Sequence, residues 1–392
     1  MPSLATFAQF GAMQGVVLAF AILTMHYGHR IANRILALFL VVQSARLYAL
    51  SFNYSASSAD GQLIFQLLHL SYTYGPLVYI YTRLLTQASY RLRATALWHF
   101  TPALFGVFLF WPGGLILDGD LSQYQRFEDL PIQQQSLASY ASVPVYLSLF
   151  VYSCLSWRLL QSHRLRIREQ FSALELINLN WLRALIAICV VTAAISGTIE
   201  LLRGLTAWNL GPRVASSALL SVLLILYIGI MGLRQPAIFD QGQRSHARTD
   251  LLPKALQAGG PSPTLVDTKY EKSALKEAHI EQLWQKLEQC MREKRRYLEP
   301  SIKLAELAEE IATLPNYLSQ TINRRSGKNF FEYINSYRLE EACRLLEHAP
   351  ELTIGDIALR SGFNSQNVLN GHFKKRFNKT PSQYRKQSKS IS

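Results

Sequence analysis

Two clusters of short polar side chains near the end of the chain are spaced for reading the edges of nucleic-acid bases. The first is Asn316, Tyr317, Ser319, Gln320, Asn323 and Arg324; the second is Ser365, Gln366, Asn367 and Asn370. Asn and Gln present a donor beside an acceptor and can pair with the major-groove edge of adenine, as Arg can with guanine. Residues three and four apart share a helix face, so each cluster would form one reading surface. Lys328, Lys374, Lys375 and Arg376 add charges suited to phosphates.

The elements that would hold these clusters form a pattern that occurs twice. The first copy runs Leu304-Ala305-Glu306-Leu307-Ala308, then Tyr317-Leu318, Ile322 and Gly327; the second runs Ile354-Gly355-Asp356-Ile357-Ala358, then Val368-Leu369, Phe373 and Asn378. The offset is 50 residues before the turn and 51 after it. Thr353 with Asp356 three residues on forms a capping box that starts a helix. Gly362 can adopt the positive φ of a tight turn, and the next helix is expected from Ser365 to about Phe377. The first unit is expected to use residues 304–312, a turn at Thr313-Leu314-Pro315, and residues 316–326. Between the units the stripe Ile334, Tyr337, Ala342, Leu345 and Leu346 predicts one long helix over 331–348. Two helix-turn-helix units in tandem point to binding of double-stranded DNA, each second helix lying in the major groove.

These residues resemble the DNA-binding domain of the AraC/XylS family of bacterial transcription regulators, across residues 280–388. The resemblance rests on Gly327-Lys328-Asn329-Phe330-Phe331-Glu332-Tyr333, on Tyr337-Arg338-Leu339-Glu340-Glu341-Ala342, on Ile357-Ala358 with Gly362-Phe363, and on Phe373 through Arg385. It implies promoter DNA as a partner, RNA polymerase for an activator, and no cofactor. Two positions depart from the family. Gly371 stands where a basic residue is usual, which weakens DNA reading by the second unit. Asn378 stands where Gly is usual, a mild change because Asn tolerates the left-handed conformation.

What precedes this domain is of another kind. The 392 residues are 49% hydrophobic and 17% charged, too apolar on average for a purely soluble chain. Residues 271–392 nonetheless hold 21 of the 40 Lys and Arg, so the apolar character is concentrated upstream. Seven windows are long and apolar enough to cross a bilayer: 7–27, 35–54, 63–85, 96–117, 143–160, 182–202 and 214–233. The loops after the first, third and fifth carry Arg30, Arg34, Arg91, Arg93, Arg164, Arg166 and Arg168. The alternate loops carry Arg126, Arg203 and Arg213. By the positive-inside rule the N-terminus lies outside and the C-terminus in the cytoplasm, where DNA is. The first window has no basic stretch before it and no cleavage site after it, so it is not read as a signal peptide.

The expected fold is therefore all-α: a seven-helix transmembrane bundle, then a soluble domain of two helix-turn-helix units joined by a long helix. The expected domains are a sensor at 1–235, a tether at 236–279, the DNA-binding domain at 280–388 and a tail at 389–392. Pro236, Pro253, Gly259, Gly260, Pro261 and Pro263 mark the tether. Lys272–Arg296 reads as a helix with Ile280, Leu283, Trp284, Leu287 and Met291 on one side, a stripe that either dimerises or packs on the following domain.

Ionisable groups inside a membrane usually have a partner or a task. Arg46, His69, Tyr72 and Glu200 fall at similar depth in the expected spans, with His99 near the start of the fourth. They read either as an outward-facing ligand pocket or as an Arg46–Glu200 ion pair between helices. Pro76, Pro102 and Pro144 fall in the spans and read either as bend points for signalling or as packing kinks. The spans contain no Asp, and neither HExxH nor GxSxG occurs, so no enzyme activity is expected. Cys154, Cys189, Cys290 and Cys343 have no CxxC spacing, and no metal site is expected, His26 and His29 included. The expected partners are promoter DNA, a lipid bilayer, a small-molecule or membrane-derived signal, and a second copy of the chain. The sequence leads to a membrane-bound one-component transcription regulator of the bacterial inner membrane; the alternative is a membrane transporter or enzyme with an appended DNA-binding domain.

Overall fold

A computed structural model describes residues 4–26, 29–51, 70–87, 90, 92–104, 132–174, 179–206, 213–234 and 271–391. The described residues are helical throughout, apart from turns and one isolated antiparallel bridge between Phe171 and Lys303. The chain divides into two compact units, one of residues 1–163 with 179–252, the other of residues 164–178 with 253–392.

The first unit contains α1 (Leu4–Leu23), α2 (Arg30–Ala49), α3 (Tyr74–Thr86), most of α4 (Ile132–Gln170), α5 (Asn180–Thr206) and α6 (Arg213–Leu233). Its packing inverts the soluble pattern. On α1 the buried residues are chiefly small, Ala8, Ala12 and Ala19, while Phe10, Met13 and Phe20 are 66%, 67% and 69% exposed. α1 thus presents a continuous exposed apolar face. Gly11 and Gly15 let α1 close on its neighbours. A side chain at Gly11 would run into Leu47 of α2 and Val222 of α6, and one at Gly15 into Ser44 and Ile225.

Among the described residues four helices, not seven, have the length and composition of a membrane span: Thr6–Leu23, Arg30–Ala49, Ser142–Gln170 and Asn180–Leu205. The seventh expected window, 214–233, lies within α6 (Arg213–Leu233), whose stretch Ala218–Leu233 is apolar. The third begins outside the described residues, and what is described of it is a 3-10 turn at Leu70–Thr73 followed by the 13 residues of α3. The fourth starts as a 3-10 turn, Ala94–Phe100, and continues outside the described residues. Pro76 lies in the first turn of α3, where its missing N–H is not needed. Pro144 does lie inside α4.

The second unit contains the end of α4, then α7 (Glu271–Glu293), α8 (Leu304–Glu310), α9 (Pro315–Ser326), α10 (Phe330–His348), α11 (Ile354–Arg360), α12 (Gln366–Phe377) and α13 (Pro381–Ile391). α7 begins inside the stretch expected as tether. Leu287, Cys290 and Met291 of α7 are buried with Leu307, Ala308, Leu318 and Ile322 in the core of the first helix-turn-helix unit. A second core joins Ile357, Ala358, Phe363, Leu369 and Phe373. α10 serves both: Phe330, Tyr333 and Ile334 enter the first core, Leu339, Ala342 and Leu346 the second. Burial pushes the thiols of Cys290 and Cys343 up, Cys343 to about 11, which disfavours their thiolates.

Candidate nucleic-acid interface

Local chemistry sets the two reading helices. Pro315 opens α9, where a fixed φ costs nothing, and Gly327 closes it at φ 67°. Ser365 caps α12 by accepting the Val368 N–H at 3.4 Å, and Asn378 closes it at φ 56°. α11 is started by the expected capping box: Asp356 accepts the Thr353 N–H at 3.2 Å, and Thr353 Oγ1 accepts the Asp356 N–H at 3.1 Å. The Thr353 hydroxyl, donating to the Asp356 carboxylate at 2.6 Å, and then the Thr353 N–H hold that carboxyl below its usual range. α8 has half of the same device, with Glu306 accepting the Lys303 N–H at 3.1 Å. It ends at Glu310, short of the expected Ala312, because Ala312 turns left-handed at φ 57°.

Each reading helix has one buried and one open side. On α9, Leu318, Thr321 and Ile322 face the core, leaving Asn316, Tyr317, Gln320, Asn323 and Arg324 exposed and Ser319 half-buried. On α12, Leu369 and Phe373 face the core. Gln366, Asn367, Lys374, Lys375 and Arg376 are exposed, and Asn370 is half-buried. Lys328 is exposed just past α9. Ser365 is exposed, but its hydroxyl is engaged by the cap. Gly371 lies on the open side, with nothing within 4 Å of where a Cβ would stand.

Beside its apolar stripe, α7 carries acidic residues that reach α9. Glu277 of α7 lies 3.8 Å from Arg324 and 3.5 Å from Arg325 of α9, and Glu281 pairs closely with Arg325. The basic end of α9 is thus paired with acidic residues of α7. Both side chains of the Glu277–Arg324 pair are more than half exposed, so the pair is weak. The signal was present in sequence as acidic residues four apart, which share one helix face.

The residues expected to form a pocket in the first unit meet different partners. Arg46 donates to Ser221 Oγ at 3.3 Å, joining α2 to α6. Glu200 accepts from Arg203 at 3.1 Å, one turn along its own helix. Tyr72 is buried in the 3-10 turn before α3. His69 lies outside the described residues. His99 reaches Tyr152 Oη at 3.0 Å. His29 Nδ1 accepts the Ala32 N–H at 3.2 Å and so caps α2.

Two packed helix-turn-helix units, each with an exposed second helix, define a tandem helix-turn-helix DNA-binding domain. Residues 307–387 match the family described as helix-turn-helix domain. An uncharacterised HTH-type transcriptional regulator of Bacillus subtilis, YtdP, is 36% identical over 94 residues, 24% of this chain and 12% of that protein. YijO of Escherichia coli, also named an uncharacterised HTH-type transcriptional regulator, is 35% identical over 81 residues, 21% of this chain and 28% of its own length. The chain therefore matches only a minor part of each relative. No solved structure matches it significantly.

Proposed function

We propose that the chain is a membrane-bound one-component transcription regulator: its N-terminal helices sit in the bacterial inner membrane and sense a signal, and its C-terminal units bind promoter DNA in the cytoplasm. The observation that carries the DNA half is the pair of exposed polar faces on α9 and α12 within a domain shared with HTH-type regulators. In this reading Asn316, Tyr317, Ser319, Gln320, Asn323 and Arg324 read bases in one groove segment. Gln366, Asn367 and Asn370 read the next, and Lys328, Lys374, Lys375 and Arg376 hold phosphates. The membrane half is supported by the outward Phe10, Met13 and Phe20 and by the four long apolar helices. Seven spans with the N-terminus outside follow from the sequence windows and their flanking arginines.

A bound signal regulates only if it favours one arrangement of the helices over another. Flotation of cell membranes, with immunoprecipitation of DNA crosslinked to the same full-length chain, tests both halves. Co-flotation with enrichment of a defined set of promoters is the expected result. A chain that stays with the soluble fraction, or DNA recovered without sequence preference, contradicts it.

A further inference from the structure

The second unit includes a piece of chain from far upstream. Residues 164–174, which continue α4 beyond its apolar part and precede α5, pack within the DNA-binding unit rather than with the helices on either side of them in sequence. Ser172 is the anchor, at 1% exposure. Its N–H donates to the Ile302 carbonyl at 3.3 Å, and its hydroxyl donates to the same carbonyl at 2.7 Å. Beside it Phe171 bridges Lys303, while Ile167 and Leu174 are buried.

The seat is built by Arg338 and Asn335, in the middle of α10. Arg338 is 1% exposed and stands between the stretches of α10 that enter the two cores. Its Nη1 donates to the Ser172 carbonyl and its Nη2 to the Ser172 hydroxyl, both at 3.2 Å. Asn335 Nδ2 donates to the Ser172 carbonyl at 3.1 Å. The same guanidinium donates to the carbonyls of Tyr297 (2.7 Å), Glu299 (2.7 Å) and Pro300 (3.1 Å). The turn of the second unit rests on this hub, because a Cβ at Gly362 would stand 2.6 Å from the Tyr297 oxygen and 3.1 Å from Arg338 Nε.

Undocking Ser172 removes two of the acceptors of Arg338 and leaves Nη1 with Asn335 Oδ1 alone, at 3.2 Å; a buried N–H short of an acceptor is costly, so undocking favours Arg338 taking up water or shifting. Either response reaches the approach to α8 through Glu299 and Pro300, and the turn before α12 through Tyr297. We propose that residues 167–174 are a docking strap whose seating on Arg338 and Asn335 sets how the two reading helices are held, and that this strap carries the state of α4 and α5 to them. This rests on the membrane-regulator reading, since it assigns the strap a signal to carry.

The test uses the full-length chain in native membranes with its four cysteines replaced by serine or alanine. Phe171→Cys with Lys303→Cys places two thiols across the antiparallel bridge, within disulfide reach. Phe171→Cys with Glu351→Cys is the control. Mild oxidation is expected to close the first pair and not the second; equal or no closure of the first overturns the docking. Immunoprecipitated DNA is then compared between the oxidised pair and Ser172→Pro, which removes the docking N–H. Ser172→Ala, which keeps the backbone, is a milder variant expected to fall between them. Occupancy at enriched promoters should differ by at least about fivefold, the lower end of ordinary allosteric coupling. Equal occupancy overturns the control role. Loss of membrane association or of all promoter enrichment in the parent chain contradicts instead the reading on which the strap rests.

Discussion

Ala312 and Gly362 occupy the same place in the two repeated units, and both take positive φ, 57° and 87°. The turn between the two helices demands that conformation, and only the second unit supplies the residue suited to it. An L residue held left-handed costs roughly 1–2 kcal/mol. Ala312→Gly should therefore be neutral or mildly stabilising, since its entropic cost of up to about 1 kcal/mol offsets part of the relieved strain. Gly362→Ala should destabilise by more than about 1 kcal/mol, because strain is joined by collision with the Tyr297 carbonyl. Hydrogen exchange of the α9 and α12 amides in the full chain reads both. Faster exchange in α12 with Gly362→Ala, and unchanged or slower exchange in α9 with Ala312→Gly, are expected.

Gly371 is the opposite case. It lies mid-helix on an open side with nothing to collide with. Gly371→Ala should stabilise α12 by about 1 kcal/mol. Gly371→Arg should in addition tighten DNA binding and steepen its salt dependence by about one released counterion. A titration of promoter fragments at several salt concentrations checks the slope; an unchanged slope would show that this side of α12 does not meet DNA.

Base readers and phosphate contacts separate by specificity. Asn316→Ala and Gln320→Ala should each cost about 1–3 kcal/mol on the preferred site and relax the choice at one base pair. Lys374→Ala should weaken binding evenly across sequences. A binding-site selection on each variant distinguishes the two behaviours.

Glu277 and Glu281 hold Arg324 and Arg325. Glu277→Gln should free Arg324 and raise DNA affinity severalfold at low salt, with the gain fading as salt screens the pair. Lower affinity would mean that Glu277 orients the reading helix instead of competing for it.

Acid should loosen the second unit. Glu310 is held below the usual carboxylate range by its hydrogen bond from Lys294 and by Arg296, Glu341 by Arg344, and Asp356 by Thr353. Each has a folded pKa depressed below its unfolded value, so its stabilisation is present above the unfolded value and is lost as pH falls through the folded one. Exchange at α8, α10 and α11 should thus be flat near neutrality and rise, beyond the intrinsic rate, only once pH drops below the ordinary carboxylate range. Glu310→Gln should flatten that rise at α8.

Much of the second unit is legible in sequence because its signals are local. The Thr353–Asp356 box, Pro315, Gly327 and Asn378 lie within a turn of the boundaries they set. The long helix was expected at 331–348 and runs Phe330–His348. What depends on distant partners is not legible. Ser172 meets Arg338 across 166 positions, and no periodicity in either segment announces it. In the first unit the sequence relates Arg46 and Glu200 by depth alone; the structure gives Glu200 a bond from Arg203 on its own helix and gives Arg46 a serine to donate to. A nearby partner on the same helix needs no helix packing to bring it within reach.

The central claim, that a membrane-embedded chain binds chosen promoters through α9 and α12, is tested most directly by footprinting DNA on membrane vesicles that carry the full-length protein. Two protected major-groove segments about one helical turn apart are expected, roughly 10 base pairs centre to centre. Asn316→Ala with Gln320→Ala should erase one segment, and Gln366→Ala with Asn367→Ala the other. DNA that fails to stay with the vesicles, or protection unaffected by both pairs of substitutions, would contradict the account.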